Sequence, residues 1–362
     1  MRAGCGRATV WLGWLLLAIA LSGCVAGSAA DSSGEMAPQT ATLPPLRIVQ
    51  YDGTVTMLPV ASLTRTPAAT DTAVPTATPT ATATATAAAT PTPTETPTPT
   101  PTPTATAVPI TVNGVPLNEI VLMDDAVRRR VRETFALGQQ LGRDANAFSK
   151  IGDSVALTPH YLTLFDRNAY VLGEEYVYLQ PAIDHYSGSW ERYGVATRIG
   201  LHAWSLFDPL WADKEWCQPN EDMVACEVRL NNPSVLLVRL GSNDAGAAAA
   251  FDENMRLMVD YALANGIIPI LSTKADRFEG EDNRNNLIVR QIAADYSLPL
   301  WDFDRVAETL PNKGLGGDQV HMTMSDTNDY TNPEYFKRGY PMSDLTALMT
   351  IFEVLQVITA VP

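Results

Sequence analysis

Val235-Leu236-Leu237-Val238-Arg239-Leu240-Gly241-Ser242-Asn243-Asp244 is the stretch on which the fold turns. A nearly unbroken apolar run stops abruptly at a cluster of turn-forming residues. A strand that is apolar along both faces belongs in a sheet covered on both sides. The same form recurs at residues 148–151, 176–179, 267–271 and 298–301. Between these runs, residues 124–142, 248–264, 285–295 and 342–357 carry apolar side chains at helical spacing, and 112–115 reads as a small hairpin around Asn113-Gly114. Strands alternating with helices predict an α/β fold with a parallel sheet, whose functional residues gather beyond the carboxyl ends of the strands.

Two such ends carry chemistry. Residues 148–151 run into Gly152-Asp153-Ser154, and 235–240 run into Gly241-Ser242-Asn243-Asp244. A serine at a strand-to-helix turn is exposed, and its own backbone N–H can face a reacting oxygen. An asparagine amide can donate to a developing oxyanion. Near the C-terminus, Asp318 precedes His321 by three residues in a loop with Gly314, Gly316 and Gly317. Histidine can take and return a proton, and a carboxylate beside it can fix its tautomer. Each cluster alone also has a plain structural reading: a helix cap at Ser154, an Asn-Asp turn at Asn243, a packing histidine at 321.

Taken in order, Gly152-Asp153-Ser154, Gly241-Ser242-Asn243-Asp244 and Asp318-Gln319-Val320-His321 resemble the blocks of the SGNH, or GDSL-type, hydrolase family. The resemblance covers about residues 147–358. It implies a flavodoxin-like three-layer α/β/α sandwich with a five-stranded parallel sheet, and esterase chemistry without a cofactor or metal. It implies Ser154 as nucleophile, His321 as base and Asp318 as its orienter. Asn243 and backbone N–H groups of Ser154 and a glycine would form the oxyanion hole; Gly200 fits best, with Gly194 as the other candidate. Val155 stands where the family motif has leucine.

The first hundred residues are of another kind. Arg2 and Arg7 precede an apolar run that ends in Leu21-Ser22-Gly23-Cys24. The run is short for a bilayer span and reads as a signal-peptide core over residues 1–23. Its end resembles the bacterial lipobox, which implies a lipid on Cys24; an ordinary secretory signal and an uncleaved anchor are the other readings. Residues 24–64 read as mostly disordered. Residues 65–108 are almost all Thr, Pro and Ala, an extended linker that could reach roughly 140 Å at about 3.1 Å per residue. Residues 109–362 are left to form the catalytic domain, facing outside the cytoplasm.

A net charge of -15 argues against nucleic acid as a partner. In an exported chain, Cys217 and Cys226 are expected to pair, closing a short loop worth roughly 2–3 kcal/mol. Two isolated thiols lack the other ligands of a metal site. His160 and His202 either line the site or serve as core or surface residues, and His185 shows no partner pattern. Trp190, Trp204, Trp211 and Trp216 either stack on a sugar or pack a core. The expected function is a lipid-anchored serine hydrolase cleaving carboxylic esters, with carbohydrate O-acetyl esters as one substrate class. An acyltransferase and a catalytically inactive carbohydrate-binding surface protein are the alternatives.

Overall fold

The apolar runs at 148–151, 235–240, 267–271 and 298–301 contribute strands of one sheet in the computed structural model, which describes residues 110–360. The signal segment, Cys24 and the stretches 24–64 and 65–108 lie outside the described residues. The described chain opens with a hairpin of β1 (Thr111–Val112) and β2 (Val115–Pro116), turning on Asn113 and Gly114 in left-handed conformation. Next come α1 (Leu117–Ile120), β3 (Val121–Leu122) and α2 (Asp125–Gln140). Asp124 caps α2 by accepting from the Val127 N–H at 2.9 Å. After β4 (Asp144–Gly152) a long connection holds β5 (Tyr170–Val171), α3 (Gly173–Tyr176) and α4 (Gln180–His185). Regular alternation then sets in: α5 (Met223–Asn231), β6 (Pro233–Arg239), α6 (Ala248–Ala264), β7 (Ile268–Ser272), α7 (Arg284–Tyr296), β8 (Leu300–Trp301) and α8 (Phe303–Ala307). A short β9 (Asn328–Asp329) pairs with β5, and α9 (Gly339–Thr359) closes the domain.

The main sheet has the order β3-β8-β7-β6-β4. Strands β4, β6, β7 and β8 are parallel, and β3 runs antiparallel along the β8 edge. The expectation of five parallel strands is therefore corrected to four parallel strands and one antiparallel edge. The place outside β4 is taken by a single parallel bridge between Gly152 and Thr197. Gly194 and Gly200 bound that segment with φ of +75° and +72°, and extended pairing cannot run through left-handed residues. Residues 176–179, expected as a strand, are helical. Tyr176, Leu179, Ala182 and Ile183 are buried at i, i+3 and i+4 spacing, Glu174 and Glu175 sit in the first turn of α3, and Pro181 stands at the start of α4.

Alternation along the strands divides the interior in two. Val235, Leu237, Ile268 and Ile270 face one core, shared with α2, α4 and α9. Leu236, Val238, Ile267 and Leu271 face the other, shared with α5, α6 and α7. Each such side chain is fully buried and stabilises by about 1.5–3 kcal/mol. Helix α9 is long and apolar enough to cross a membrane, but 72% of its most apolar stretch is buried inside the domain, as suits a core helix. A cavity of about 1050 Å³ at the β3 edge, bounded by Leu117, Val127 and Arg290, shares no residue with the strand-end clusters.

Candidate active site

Strands β4 and β6 are neighbours in parallel register, with Gly152 opposite Arg239. Their loops therefore leave the same end of the sheet side by side. Gly152 is required there: a Cβ would come within 2.5 Å of the Ala156 Cβ and 3.1 Å of the Arg239 carbonyl. The chain then folds into a tight turn. The Asp153 carboxylate accepts from the Val155 N–H at 2.9 Å, and its carbonyl accepts from the N–H groups of Ala156 and Leu157, both at 3.0 Å. Ser154 sits at the partly exposed crest of that turn.

Opposite it stands the loop after Gly314. Leu315 pairs with Met322, and the Gly316 N–H donates to the His321 carbonyl at 2.7 Å, so the loop closes on itself. His321 Nε2 lies 2.9 Å from Ser154 Oγ, and His321 Nδ1 lies 2.7 Å from Asp318 Oδ2. The other Asp318 oxygen accepts from the N–H groups of Val320 at 3.1 Å and His321 at 3.0 Å. The bond to the His321 ring, and then these backbone donors, hold the Asp318 carboxyl down at about 2. Asp318 is thus an acceptor at neutral pH. Nδ1 carries the ring proton, and Nε2 is free to accept from the Ser154 hydroxyl.

Asn243 Nδ2 donates to the Leu201 carbonyl at 3.2 Å and contacts the Asp153 carboxylate at 3.4 Å. The segment carrying Gly200 is drawn to the same place, because the Arg198 N–H donates to the Gly152 carbonyl at 3.0 Å. Gly200 is next to Leu201, and nothing lies within 4 Å of where its Cβ would be. Gly194 is differently placed. Its Cβ would meet the buried Glu227 carboxylate at 2.4 Å, and that carboxylate also binds the Val195 N–H at 2.6 Å. The structure brings Ser154, His321, Asp318, Asn243 and Gly200 to one end of the sheet and leaves Gly194 packed on α5.

Each of the other histidines has a partner of its own. His160 Nδ1 contacts the Ser325 carbonyl at 2.9 Å, and His185 Nε2 the Ala145 carbonyl at 3.0 Å. His202 Nδ1 lies 3.5 Å from Asp244. Among the described residues, Cys217, Glu221 and Cys226 converge as metal donors might, but the two sulfurs are joined in a disulfide with Cα atoms 5.4 Å apart. The bridge ties the loop before α5 to that helix.

The sequence did not reveal the roles of several residues around the site. Arg239 is buried, donates to Ser343 Oγ at 2.9 Å and to the Met322 sulfur at 3.5 Å, and stands 4.9 Å over the Phe303 ring. It fastens the residue next to His321 onto the sheet. Burial raises the Asp153 carboxyl to about 6. Burial also raises Asp244, whose carboxylate accepts from the Ala203 N–H at 3.1 Å. The loop after β6 is braced from behind as well: Ser242 Oγ bonds Asp276 at 2.6 Å, and Asn285 Nδ2 bonds the Gly241 carbonyl at 2.8 Å. The signal for Arg239 was present as a lone cation inside an apolar strand.

No family model and no curated protein matches the chain. Among solved structures, the chain is similar to a carbohydrate esterase family 3 protein from Talaromyces cellulolyticus, with 14% identity, 60% of this chain and 99% of that one covered, and a TM-score of 0.38. It is similar to the psychrotrophic esterase EstA from Pseudoalteromonas sp. at 15% identity, with 58% and 99% covered and a TM-score of 0.38. It is also similar to an acetylxylan esterase from Geobacillus stearothermophilus at 15% identity, with 60% and 96% covered and a TM-score of 0.36. These identities and scores are too low to transfer a function, and the reading below rests on the site's own geometry.

Proposed function

We propose that this protein is a serine hydrolase of the SGNH type that cleaves carboxylic esters through an acyl-enzyme. The observation that carries the reading is the unbroken chain from Ser154 Oγ through His321 to Asp318, with contacts of 2.9 and 2.7 Å. Ser154 Oγ attacks the ester carbonyl carbon while its proton passes to His321 Nε2. Asp318 stabilises the imidazolium that forms. The oxyanion takes donors from Asn243 Nδ2 and from the N–H groups of Ser154 and Gly200. Asn243 gives up its bond to the Leu201 carbonyl to do so. His321 returns the proton to the alcohol oxygen as the carbon–oxygen bond breaks, and the alcohol leaves. Water, deprotonated by His321, then attacks the acyl-enzyme, releasing a carboxylic acid and restoring Ser154.

The proposal includes a location. A lipid on Cys24 would hold the enzyme on the outer side of a membrane, and residues 65–108 would carry the catalytic domain away from the bilayer. The basic leader and the sequence Leu21-Ser22-Gly23-Cys24 support this part.

Turnover of phenyl acetate by the purified full-length protein tests the chemistry. Ser154→Ala should remove about 10⁴-fold or more of kcat with the fold intact by circular dichroism. Wild-type turnover in that variant would exclude Ser154 as nucleophile.

A further inference from the structure

Ser154 and His321 belong to segments that meet again away from the reacting atoms, at the first turn of α9. Tyr340 lies in that turn, and its hydroxyl donates to the Val155 carbonyl at 3.1 Å, one residue past Ser154. The Val155 N–H donates to the Asp153 carboxylate at 2.9 Å, so Val155 is held at both its N–H and its carbonyl. The backbone N–H of Tyr340 donates to the Thr323 carbonyl at 3.1 Å, two residues past His321. Beside it, the Gly339 N–H donates to Thr323 Oγ1 at 2.7 Å, and that hydroxyl donates to the Gly314 carbonyl at 3.1 Å. The approach is close enough that a Cβ on Gly339 would run into the Gly314 carbonyl and the Met322 side chain.

We propose that Tyr340 is a positioning residue for the reaction: by bonding both segments it fixes the distance between the Ser154 hydroxyl and the His321 ring. This role rests on the serine-hydrolase reading above. The Tyr340 side chain is buried, so water does not compete for its hydroxyl. Burial also pushes the phenol above its ordinary value, so it stays protonated and keeps donating. The turn that carries it is anchored in its own right. Ser343 Oγ accepts from Arg239 at 2.9 Å, and Asp344 accepts from the Leu162 N–H and from Asn328 Nδ2, both at 2.9 Å. Leu162 is fully buried in the left-handed region, at φ +65°, a conformation that persists in a leucine only where the surroundings hold it. The chain leaving Ser154 is thus tied to α9 twice, at Val155 and at Leu162, and the His321 loop is tied to the same turn at Thr323. Reacting groups misplaced by about 1 Å can lose on the order of 10²-fold in rate, so a support common to both segments bears on turnover without touching substrate.

Tyr340→Phe in the full-length protein removes the hydroxyl and keeps the ring. On phenyl acetate its kcat should fall about tenfold or more with KM unchanged, because the lost bond orders the reacting groups and does not bind substrate. Its rate of labelling by a fluorophosphonate should fall by a similar factor, since that reaction needs the same alignment. Tyr330→Phe is the matched control. Tyr330 is also buried and donates to the Pro341 carbonyl at 3.1 Å, on the same turn of α9 but toward neither catalytic segment. It loses the same kind of bond, so its melting temperature should drop about as far as that of Tyr340→Phe, while kcat stays within about twofold of wild type. Thr323→Val keeps the side-chain shape and breaks the tie from Gly339 to Gly314. It should also lower kcat at constant KM, and the loss in the double variant should be smaller than the product of the two, because both act through one alignment. Wild-type kcat in Tyr340→Phe or in Thr323→Val would overturn the positioning role and leave the serine hydrolase intact. So would a loss confined to KM, or a loss of kcat in Tyr330→Phe as large as in Tyr340→Phe. Wild-type protein that neither turns over phenyl acetate nor takes the label would instead overturn the hydrolase reading, and this role with it.

Discussion

The two halves of the candidate site are held by different physics. Ser154 and Asn243 stand at the ends of β4 and β6, whose side chains are buried in two cores and whose register places Gly152 opposite Arg239. Asp318 and His321 stand on a loop that is mostly exposed and owes its shape to local hydrogen bonds and to Arg239 gripping Met322. Chemistry that needs an immobile donor is placed on the sheet. The base, which must pick up and hand back a proton, is placed on the loop. The distinction makes errors in the two halves distinguishable by experiment.

The loop half should show the largest effect of a nearly isosteric change. Asp318→Asn keeps the geometry but offers an amide where the His321 N–H needs an acceptor, favouring the wrong tautomer; kcat should fall by about 10⁴-fold, as for orienting carboxylates in comparable triads. Because Asp318 is held at about 2 in the wild type, its titration should not appear in the acid limb of the wild-type pH–rate profile. An Asp318→Asn enzyme within a few-fold of wild type would show that His321 needs no partner.

The sheet half should respond less. Asn243→Ala removes one oxyanion donor and should lower kcat by about 10²–10³, with KM little changed. A change confined to KM would make Asn243 a residue that orders the loop through Leu201, and the division between the halves would then fail.

The smallest effect concerns the core beneath both. Asp344 accepts from the Leu162 N–H and from Asn328 Nδ2, both at 2.9 Å, and burial raises it from 3.8 to about 7. In that window the native state holds a proton that the unfolded chain has released, so stability should fall as pH rises from about 4 to 7. Asp153, raised to about 6, adds to the same trend. Lys150 is lowered by burial from 10.5 to about 7, and the sign reverses: the unfolded chain holds the extra proton, so this group's penalty is relieved as pH rises above 7. Urea midpoints across pH should show the decline in wild-type protein and a shallower one in Asp344→Asn. An equal slope in both would mean that Asp344 is ionised in the native state.

The strand-end clusters were legible because parallel strands advertise themselves as apolar runs and their turns as Gly, Ser, Asn and Asp; helix α6 was read to its ends at residues 248–264. Residues 176–179 misled because Tyr176-Val177-Tyr178-Leu179 is too short to show whether its period is two or nearly four. Strand β3 went unseen for a related reason: two residues carry no pattern, and its pairing with β8 is decided by contacts some 180 residues apart in sequence. Arg239 was visible as a letter but not as a clamp, since its partners Met322 and Ser343 come from distant parts of the chain. The contact between Gly194 and the buried Glu227 carboxylate was also beyond local reading, since the two lie far apart in the sequence.

The most direct measurement is covalent labelling of the purified full-length protein with a fluorophosphonate, followed by peptide mass mapping. A nucleophile activated by His321 should give one adduct, on the peptide bearing Ser154, formed in wild-type protein and abolished in both Ser154→Ala and His321→Ala. No adduct on folded wild-type protein, or an adduct on another serine that persists without His321, would contradict the account.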